Sequence, residues 1–387
     1  MTERILVVHN GYQQRGGEDS VVESEIPLLR SHGHAVETYF RTNNDITDIP
    51  AISLARQTLW STRTTHDLAE LIRSFRPDVV HAHNTFPLIS PSLYWAAARA
   101  RVPVVQTLHN FRLICLNAVF LREENVCEDC LGHLPWRGVA YACYRGSRAA
   151  SATTAGMLAL HRWLGTYRSQ VTRYIALNEF CRKKFIEGGL PEDRIVVKPN
   201  FVDFHRLPAA PRHGLLFVGR LSVEKGVATL ARAAALLPAA HLRVAGDGPE
   251  ATLLDGLDVV RLGSVPGEVV RQQMNSAVAL VVPSIWYENF PRAIVEAFAC
   301  SLPVIASRIG ALRDLVKDGE TGLLFEPGNP HDLADKMKWA LAHPEQMIVM
   351  GQKARACYES HYTAERNYEQ LVAIYRDAID DVKKNSV

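Results

Sequence analysis

The 387-residue sequence contains no apolar run that approaches the ~20 residues needed to cross a bilayer. It also carries little net charge, because 43 lysines and arginines oppose 41 aspartates and glutamates, so bulk charge gives no argument for a nucleic-acid partner. The N-terminus has no basic and apolar leader, since Met-Thr-Glu-Arg runs directly into the strand-like segment Ile5–Val8. We therefore expect a cytoplasmic protein that neither spans a membrane nor binds nucleic acid.

Cysteine is scarce as well, with seven in the chain, so a disulfide framework is not expected in a reducing compartment. Apolar residues make up 47% and charged residues 22% of the sequence, values typical of a globular protein. The length of 387 residues exceeds one typical domain of roughly 100–200 residues, which predicts two domains.

Short apolar runs rich in β-branched residues alternate with amphipathic stretches, which is typical of parallel sheets with crossover helices. The strands predicted in the first half are Ile5–His9, Val36–Phe40, Val79–His83, Val104–His109, Tyr174–Leu177 and Ile195–Val197. Those predicted in the second half are Leu215–Val218, Leu242–Ala245, Val259–Leu262, Leu280–Val282, Val304–Ala306 and Leu323–Phe325. The pattern predicts an α/β fold of two Rossmann-like, doubly wound parallel-sheet domains that face each other across a cleft. The segment from Lys198 to Pro211 is the predicted linker.

A strand-to-helix loop at Gly219–Gly226 carries Arg220 and Lys225. Two cations at this spacing can converge on one anion, and a helix N-terminus adds its partial positive charge. The alternative is a solvated loop with two surface cations. After the next predicted strand, Gly246 begins a Gly-Asp-Gly-Pro turn that permits close backbone approach.

Two carboxylates flank the start of another predicted helix, Glu288 just before it and Glu296 inside it. Pro291 fits the first helical turn, where unpaired backbone amides suit a phosphate, while carboxylates accept hydrogen bonds from sugar hydroxyls. The alternative is a solvated helix face. The apolar neighbours of Glu296 nevertheless predict a buried carboxylate, which needs a partner.

These motifs resemble those of family 4 of the retaining glycosyltransferases, which have the two-domain GT-B fold. The Glu288-to-Glu296 spacing matches the family's E-x7-E motif, and Gly219–Gly226 matches its diphosphate-binding loop. Arg15–Glu18 matches its N-terminal glycine loop, and the glycines of the segment Gly310–Gly322 fit as well. The resemblance covers nearly the whole chain.

The resemblance implies a role for each matching residue. Arg220 and Lys225 would bind the donor diphosphate and stabilise it as the leaving group. Glu288, with the backbone of Asn289, Phe290 and Pro291, would hold the transferred sugar, and Glu296 would hold the ribose hydroxyls. The remaining substrate-binding candidates are Gly16, Gly17, His83, Asn200 and Gly246, although Phe201 replaces the glycine that usually follows Asn200.

A histidine at the end of the fourth predicted strand, His109, maps to the histidine of the family's N-terminal domain. A neutral imidazole there would hydrogen-bond a hydroxyl of the donor sugar, and His83 on the neighbouring strand is the second candidate. The alternative for each histidine is a structural role.

The resemblance also implies the domain organisation. Residues 1–205 would form the acceptor-side domain, with a cysteine-rich insertion at about 112–148. Residues 206–365 would form the domain that binds the nucleotide-sugar. Residues 366–387 would form a terminal helix that crosses back to the first domain.

The expected activity is retaining transfer of a sugar from a nucleotide-sugar donor to a glycan or lipid-linked acceptor, in cell-envelope or exopolysaccharide biosynthesis. No Asp-x-Asp pair stands on a loop to hold a divalent ion, so no catalytic metal is expected, and Arg220, Lys225 and a helix terminus would neutralise the leaving group instead. Two alternatives remain: a nucleotide-sugar epimerase or synthase on the same fold, and a non-catalytic module that binds nucleotide-sugars.

Four of the seven cysteines cluster along the sequence as C-x11-C-x2-C-x12-C. Such spacing is close to that of a structural zinc site made of four thiolates, which would be Cys115, Cys127, Cys130 and Cys143. Reduced cysteines without a metal are the alternative.

Basic residues dominate the segment Gly132–Lys184, where nine lysines and arginines stand against Glu179 alone. Tryptophans and tyrosines lie among them, a combination that suits peripheral contact with an anionic membrane surface. A solvated arginine-rich face is the alternative, and RNA is disfavoured because no nucleic-acid-binding motif accompanies the patch.

Overall fold

The computed structural model describes residues 2–204, 207–208, 210–237 and 241–384. Within these ranges the strands are β1 (Arg4–Gly11), β2 (Ala35–Thr42), β3 (Val79–Ala82), β4 (Val104–Thr107), β5 (Leu121–Arg122), β6 (Asn125–Val126), β7 (Arg173–Ala176), β8 (Ile195–Val197), β9 (Leu215–Val218), β10 (Leu242–Ala245), β11 (Val260–Gly263), β12 (Ala279–Val282), β13 (Val304–Ser307) and β14 (Gly322–Phe325). The helices are α1 (Gly17–Ser31), α2 (Ala51–Leu59), α3 (Thr62–Phe75), α4 (Ser92–Arg99), α5 (Trp136–Ala140), α6 (Arg148–Trp163), α7 (Glu179–Glu187), α8 (Val227–Ala234), α9 (Gly267–Asn275), α10 (Arg292–Ala299), α11 (Gly310–Leu315), α12 (Pro330–Ala342), α13 (Pro344–His361) and α14 (Ala364–Lys384).

The chain divides into two compact units. The first comprises residues 1–119, 128–199 and 367–387, and the second comprises residues 120–127 and 200–366. The domain boundary predicted between residues 205 and 206 lies outside the described residues, as do residue 209 of the predicted linker and residues 385–387 of the terminal segment.

The first unit is built on a parallel sheet of six strands in the order β2-β1-β3-β4-β7-β8. Its central strands are almost entirely buried, which is why they are continuous apolar runs rather than alternating ones. One face of the sheet packs against α1 and α14, through residues such as Ile26, Leu371 and Tyr375. The last helix of the chain therefore contributes to the core of the first unit.

The second unit contains a parallel sheet of six strands in the order β11-β10-β9-β12-β13-β14. Alternate side chains of β9 enter different cores, because successive strand residues point to opposite faces. Leu215 and Phe217 pack with α8 and α12, whereas Leu216 packs with α10 and α13. Helices thus cover both faces of the sheet.

The predicted fold class is confirmed, since both sheets are parallel and doubly wound. Two local features differ from the sequence predictions. A short hairpin of β5 and β6 interrupts the cysteine-rich segment, and Pro291 precedes α10 rather than occupying its first turn. A search of the described residues finds no helix with the length and apolar character needed to cross a membrane.

Candidate functional site

The strand order of the second sheet predicts where a ligand would bind within the second unit. The chain winds outward from β9 through β10 to β11 and then begins again with β12 on the other side of β9. The loops that follow β9 and β12 therefore leave the sheet in opposite directions, and such a switch point is where open α/β sheets bind ligands. These two loops are Gly219–Gly226 and Ser284–Pro291, the segments that carry the strongest sequence motifs.

Lys225 and Glu288 meet at this switch point. The Lys225 Nζ donates a hydrogen bond to Glu288 Oε1 over 2.9 Å, and the Ser284 hydroxyl donates to the same oxygen over 2.5 Å. Glu288 is buried with 5% of its side chain exposed, whereas Lys225 is 28% exposed, so the ammonium keeps a face toward solvent. The same Nζ lies 5.6 Å from the centre of the Trp286 ring. A buried carboxylate and a cation with a face toward solvent are thus fixed side by side.

Glycines allow the loops at this edge to pack tightly. A Cβ on Gly226 would lie 1.9 Å from the Pro283 carbonyl oxygen, and a Cβ on Gly246 would lie 1.9 Å from the Gly219 carbonyl oxygen. Gly226 also has a φ of +70° and Gly246 a φ of +142°, conformations that side chains other than glycine rarely adopt. The close approach predicted at Gly246 is therefore made by the neighbouring backbone.

The other predicted donor-site residues occupy different environments. Arg220 is exposed, and no carboxylate in the described residues lies within ion-pair distance of it. Glu296 is partly buried on α10, 3.6 Å from Arg292, and burial raises the pKa of its carboxyl. The Phe290 ring packs 6.2 Å from that of Tyr362, while Asn289 is buried at 9% exposure.

Asn200, at the start of the second unit's main segment, is buried, with 4% of its surface exposed. Its Oδ1 has no hydrogen-bond partner among the described residues. An unsatisfied buried amide oxygen costs stability, and a binding role for Asn200 remains a prediction.

A pair of stacked histidines lies at the carboxyl ends of β3 and β4 in the first unit. His83 Nδ1 and His109 Nε2 are 2.9 Å apart, so one nitrogen carries the shared proton and the other accepts it. Burial lowers the pKa of His109 to about 3 and that of His83 well below its usual value. Both imidazoles are therefore neutral at physiological pH and can exchange hydrogen bonds with a hydroxyl.

A buried ionic cluster lies behind this pair, and the sequence motifs did not reveal it. Glu25 of α1 is 3.1 Å from His81 and 3.5 Å from the Lys198 Nζ, which also donates to Asn367 over 3.1 Å. Burial alone would raise the pKa of Glu25, but Lys198 and His81 outweigh burial and hold it at about 2. The Tyr375 hydroxyl of α14 lies 2.7 Å from His81. Lys198 is thus a fully buried structural residue rather than part of a solvated linker.

The cluster also bears on metal binding. Among the described residues, Glu25, His81 and His83 form a group of three potential metal ligands. Their donor atoms lie within 4.8 Å of one another. The carboxylate of this group already has the Lys198 ammonium as its counter-charge. The group is therefore accounted for as a buried ion pair, in which His83 Nε2 has no hydrogen-bond partner among the described residues.

The glycine loop after β1 caps the first helix. The Gly16 N–H donates to Asp19 Oδ2 over 2.7 Å, so this amide is engaged, whereas Gly17 has open space around it. The neighbouring Glu18 accepts a hydrogen bond from Asn110 over 2.6 Å, and burial raises the pKa of its carboxyl to about 7. The sequence signal for Glu18 is its position directly after these glycines. The glycine loop follows β1, which lies at the switch point of the first sheet, between β2 and β3.

Along the sequence Cys115 precedes the β5–β6 hairpin, whereas Cys127, Cys130 and Cys143 follow it. Cys115 donates to Asn117 Oδ1 over 2.9 Å, and the Cys127 N–H closes the hairpin by donating to the Phe120 carbonyl. The structural zinc on Cys115, Cys127, Cys130 and Cys143 remains a prediction.

Metal analysis tests this prediction directly. Protein purified without chelators should carry about one zinc ion per chain, and Cys127→Ser with Cys130→Ser should release it and lower the thermal midpoint. Cys357→Ser is the matched control, since this cysteine lies on α13. Zinc-free wild-type protein would contradict the prediction.

Comparisons with known proteins agree with this geometry. Residues 15–206 match the family described as Glycosyltransferase Family 4, and residues 212–343 match Glycosyl transferases group 1. The chain is 33% identical over 331 residues to the D-inositol 3-phosphate glycosyltransferase of Thermobifida fusca, covering 78% of this chain and 70% of that protein. It is 30% identical over 293 residues to a glycogen synthase of Mycobacterium tuberculosis, covering 70% and 62%.

The fold is similar to that of HepE from Anabaena, whose crystal structure contains UDP, with a TM-score of 0.68 and 18% sequence identity over 97% of this chain and 100% of that one. Two parallel α/β units of this kind define the GT-B class. The chain belongs to the family 4 glycosyltransferases. It spans 34%, 62% and 70% of the length of three curated relatives that it matches.

Proposed function

We propose that the chain is a retaining glycosyltransferase that moves a sugar from a nucleotide-sugar to a glycan or lipid-linked acceptor without a catalytic metal. The observation that carries the proposal is the contact between Lys225 and Glu288 at the switch point of the second sheet. One residue supplies a cation for a diphosphate, and the other supplies an acceptor for sugar hydroxyls, at a crevice suited to a nucleotide.

The chemistry follows from these charges. The bond between the anomeric carbon and the diphosphate oxygen breaks, and negative charge develops on the leaving diphosphate. Lys225, with the exposed Arg220, stabilises that charge as it forms. The acceptor oxygen bonds to the anomeric carbon on the same face, and its proton passes to the departing phosphate.

The neutral state of His109 supports its assignment to the donor sugar. With a pKa lowered to about 3 by burial, the imidazole stays uncharged and can hydrogen-bond a hydroxyl without repelling the positive charge that develops at the anomeric carbon. Glu296 would hold the ribose, because a partly buried carboxylate next to one cation retains acceptor capacity for hydroxyls. The solved complex of HepE with UDP-glucose supports a nucleotide-sugar as the donor. Cell-envelope or exopolysaccharide assembly is the proposed setting.

The test is to assay the protein for slow hydrolysis of the donor and for sugar transfer, with a panel of UDP-, GDP- and ADP-sugars. Release of the nucleoside diphosphate, unchanged initial rates with EDTA, and an α-linked product from an α-linked donor are expected. A new epimer without release of nucleotide would instead identify an epimerase. Binding without any turnover would identify a non-catalytic module, and a rate lost to EDTA and restored by magnesium would contradict the metal-independent mechanism.

A further inference from the structure

An apolar cavity of about 410 Å³ lies between α2 and α6 in the first unit. The two helices are held together near the end of α2, where the Leu59 carbonyl oxygen lies 2.8 Å from His161 Nε2. A Cβ on Gly156 of α6 would also lie only 3.7 Å from Leu59. Toward their N-terminal ends the helices line the cavity instead, together with the segment Phe86–Pro87. The volume lies within the range of roughly 300–1,000 Å³ that is usual for ligand sites.

The walls of this cavity offer little to a polar ligand. The hydroxyls of Thr58 and Thr154 donate to the carbonyls of Leu54 and Ala150 within their own helices, at 2.9 and 3.0 Å. The donor hydrogen of each hydroxyl is therefore already engaged within its own helix. Aliphatic side chains such as Ile52, which is 72% exposed at the rim, complete the lining.

The lining of this cavity includes a cation and the start of a helix. Arg145 lines the cavity, its guanidinium 5.9 Å from the ring of Tyr144, and no carboxylate in the described residues forms an ion pair with it. Ser147, two residues further on, also lines the cavity and caps the N-terminus of α6. The helix adds a partial positive charge to that of the guanidinium.

The cavity adjoins the stacked histidines through a shared wall. Phe86 lines both this cavity and the small pocket formed around His83 and His109. The Phe86 ring meets Tyr144 edge to face at 5.4 Å, and the Arg112 guanidinium lies 4.9 Å from the Phe86 ring. A molecule in the cavity therefore has one end next to the residues proposed to face the transferred sugar.

We propose that this cavity binds the alkyl chain of an anionic amphiphile, which makes the acceptor lipid-linked rather than a free glycan. That the bound amphiphile is the acceptor rests on the proposed function, whereas its binding to the cavity does not. Sugar hydroxyls placed here would lose their water without gaining partners, which is costly, whereas an alkyl chain gains free energy by leaving water. Arg145 and the α6 terminus would hold the phosphate of the amphiphile.

Calorimetric titration of the full chain with dodecyl phosphate, kept below its micelle concentration, tests the proposal without any turnover. Saturable binding is expected, with much weaker binding of butyl phosphate and none of inorganic phosphate. Ile52→Glu should weaken binding by about tenfold or more, because it places a charge at an apolar rim. Ile348→Glu, a matched change at an exposed isoleucine of α13, should have no effect.

A second comparison measures the contribution of the Arg145 charge separately from that of the apolar lining. Arg145→Ala should weaken binding of dodecyl phosphate but not of the neutral dodecyl maltoside. Equal affinity of wild type and Ile52→Glu for dodecyl phosphate would overturn the proposal. The proposal would also be overturned if the protein bound anionic phospholipid vesicles but not monomeric dodecyl phosphate, and if Ile52→Glu left the vesicle binding unchanged. The protein surface, and not the cavity, would then be the binding site. Amphiphile binding in a protein that fails to turn over any nucleotide-sugar would sink the proposed function alone.

Discussion

Lys225→Ala is expected to lower kcat by about 10²–10³, the usual cost of removing one group that stabilises charge in a transition state. In the proposed function the ammonium neutralises the leaving diphosphate, and its anionic partner Glu288 cannot replace it. The fold should persist, because Lys225 is 28% exposed and Glu288 keeps its hydrogen bond from Ser284. The measurement is the steady-state rate of nucleotide release, with the thermal midpoint recorded in parallel.

Two variants make the result specific. Lys225→Arg should recover part of the rate, since it restores a cation at the same position with different geometry. Lys353→Ala, at an exposed lysine of α13, should match the wild type. Near-normal turnover in Lys225→Ala would show that the Gly219–Gly226 loop does not bind the diphosphate.

The position of the two loops at the switch point could be predicted because their signals are local in sequence, whereas their assignment to the donor remains a prediction. Each buried strand of the second sheet is a short apolar run, and each motif follows such a run directly, so the sheet order brings the loop of Lys225 next to that of Glu288. Parallel strands buried on both faces make this pattern easy to recognise. The strand bounds predicted for Leu215–Val218 and Leu242–Ala245 are the ones observed.

The buried cluster of the first unit could not be predicted, because its members are distant in sequence and each has an ordinary local context. Lys198 is 173 residues from Glu25 and 169 from Asn367, and a Lys-Pro-Asn sequence normally indicates a solvated turn. The return of α14 to the first sheet adds Asn367 to this cluster from the far end of the chain. The same holds for the α2–α6 cavity, whose lining comes from three separate segments.

Lys198→Ala should destabilise the first unit by about 3–5 kcal/mol, the usual cost of leaving a buried charge without its partner. Glu25 would then be a carboxylate with 3% of its side chain exposed that has lost its Lys198 counter-charge and keeps His81 as its neighbour. Urea unfolding at neutral pH, followed by hydrogen exchange on α1 and α14, measures the loss. The double variant Glu25→Gln with Lys198→Met should recover most of the stability, because no unpaired charge remains.

The dependence of the stability on pH tests the same prediction independently. In the wild type the pKa of Glu25 is lowered from 4.5 to about 2, so the unfolded chain binds the proton first as acid is added. The stability contributed by the ionised carboxyl is therefore present above pH 4.5 and is lost as the pH falls toward 2. In Lys198→Ala the largest of the charges that lower the pKa of Glu25 is gone, so that pKa rises above its wild-type value and acidification through the same window should cost less of this stability. A steeper acid loss in the variant than in the wild type would show that Lys198 does not hold Glu25 in its charged form.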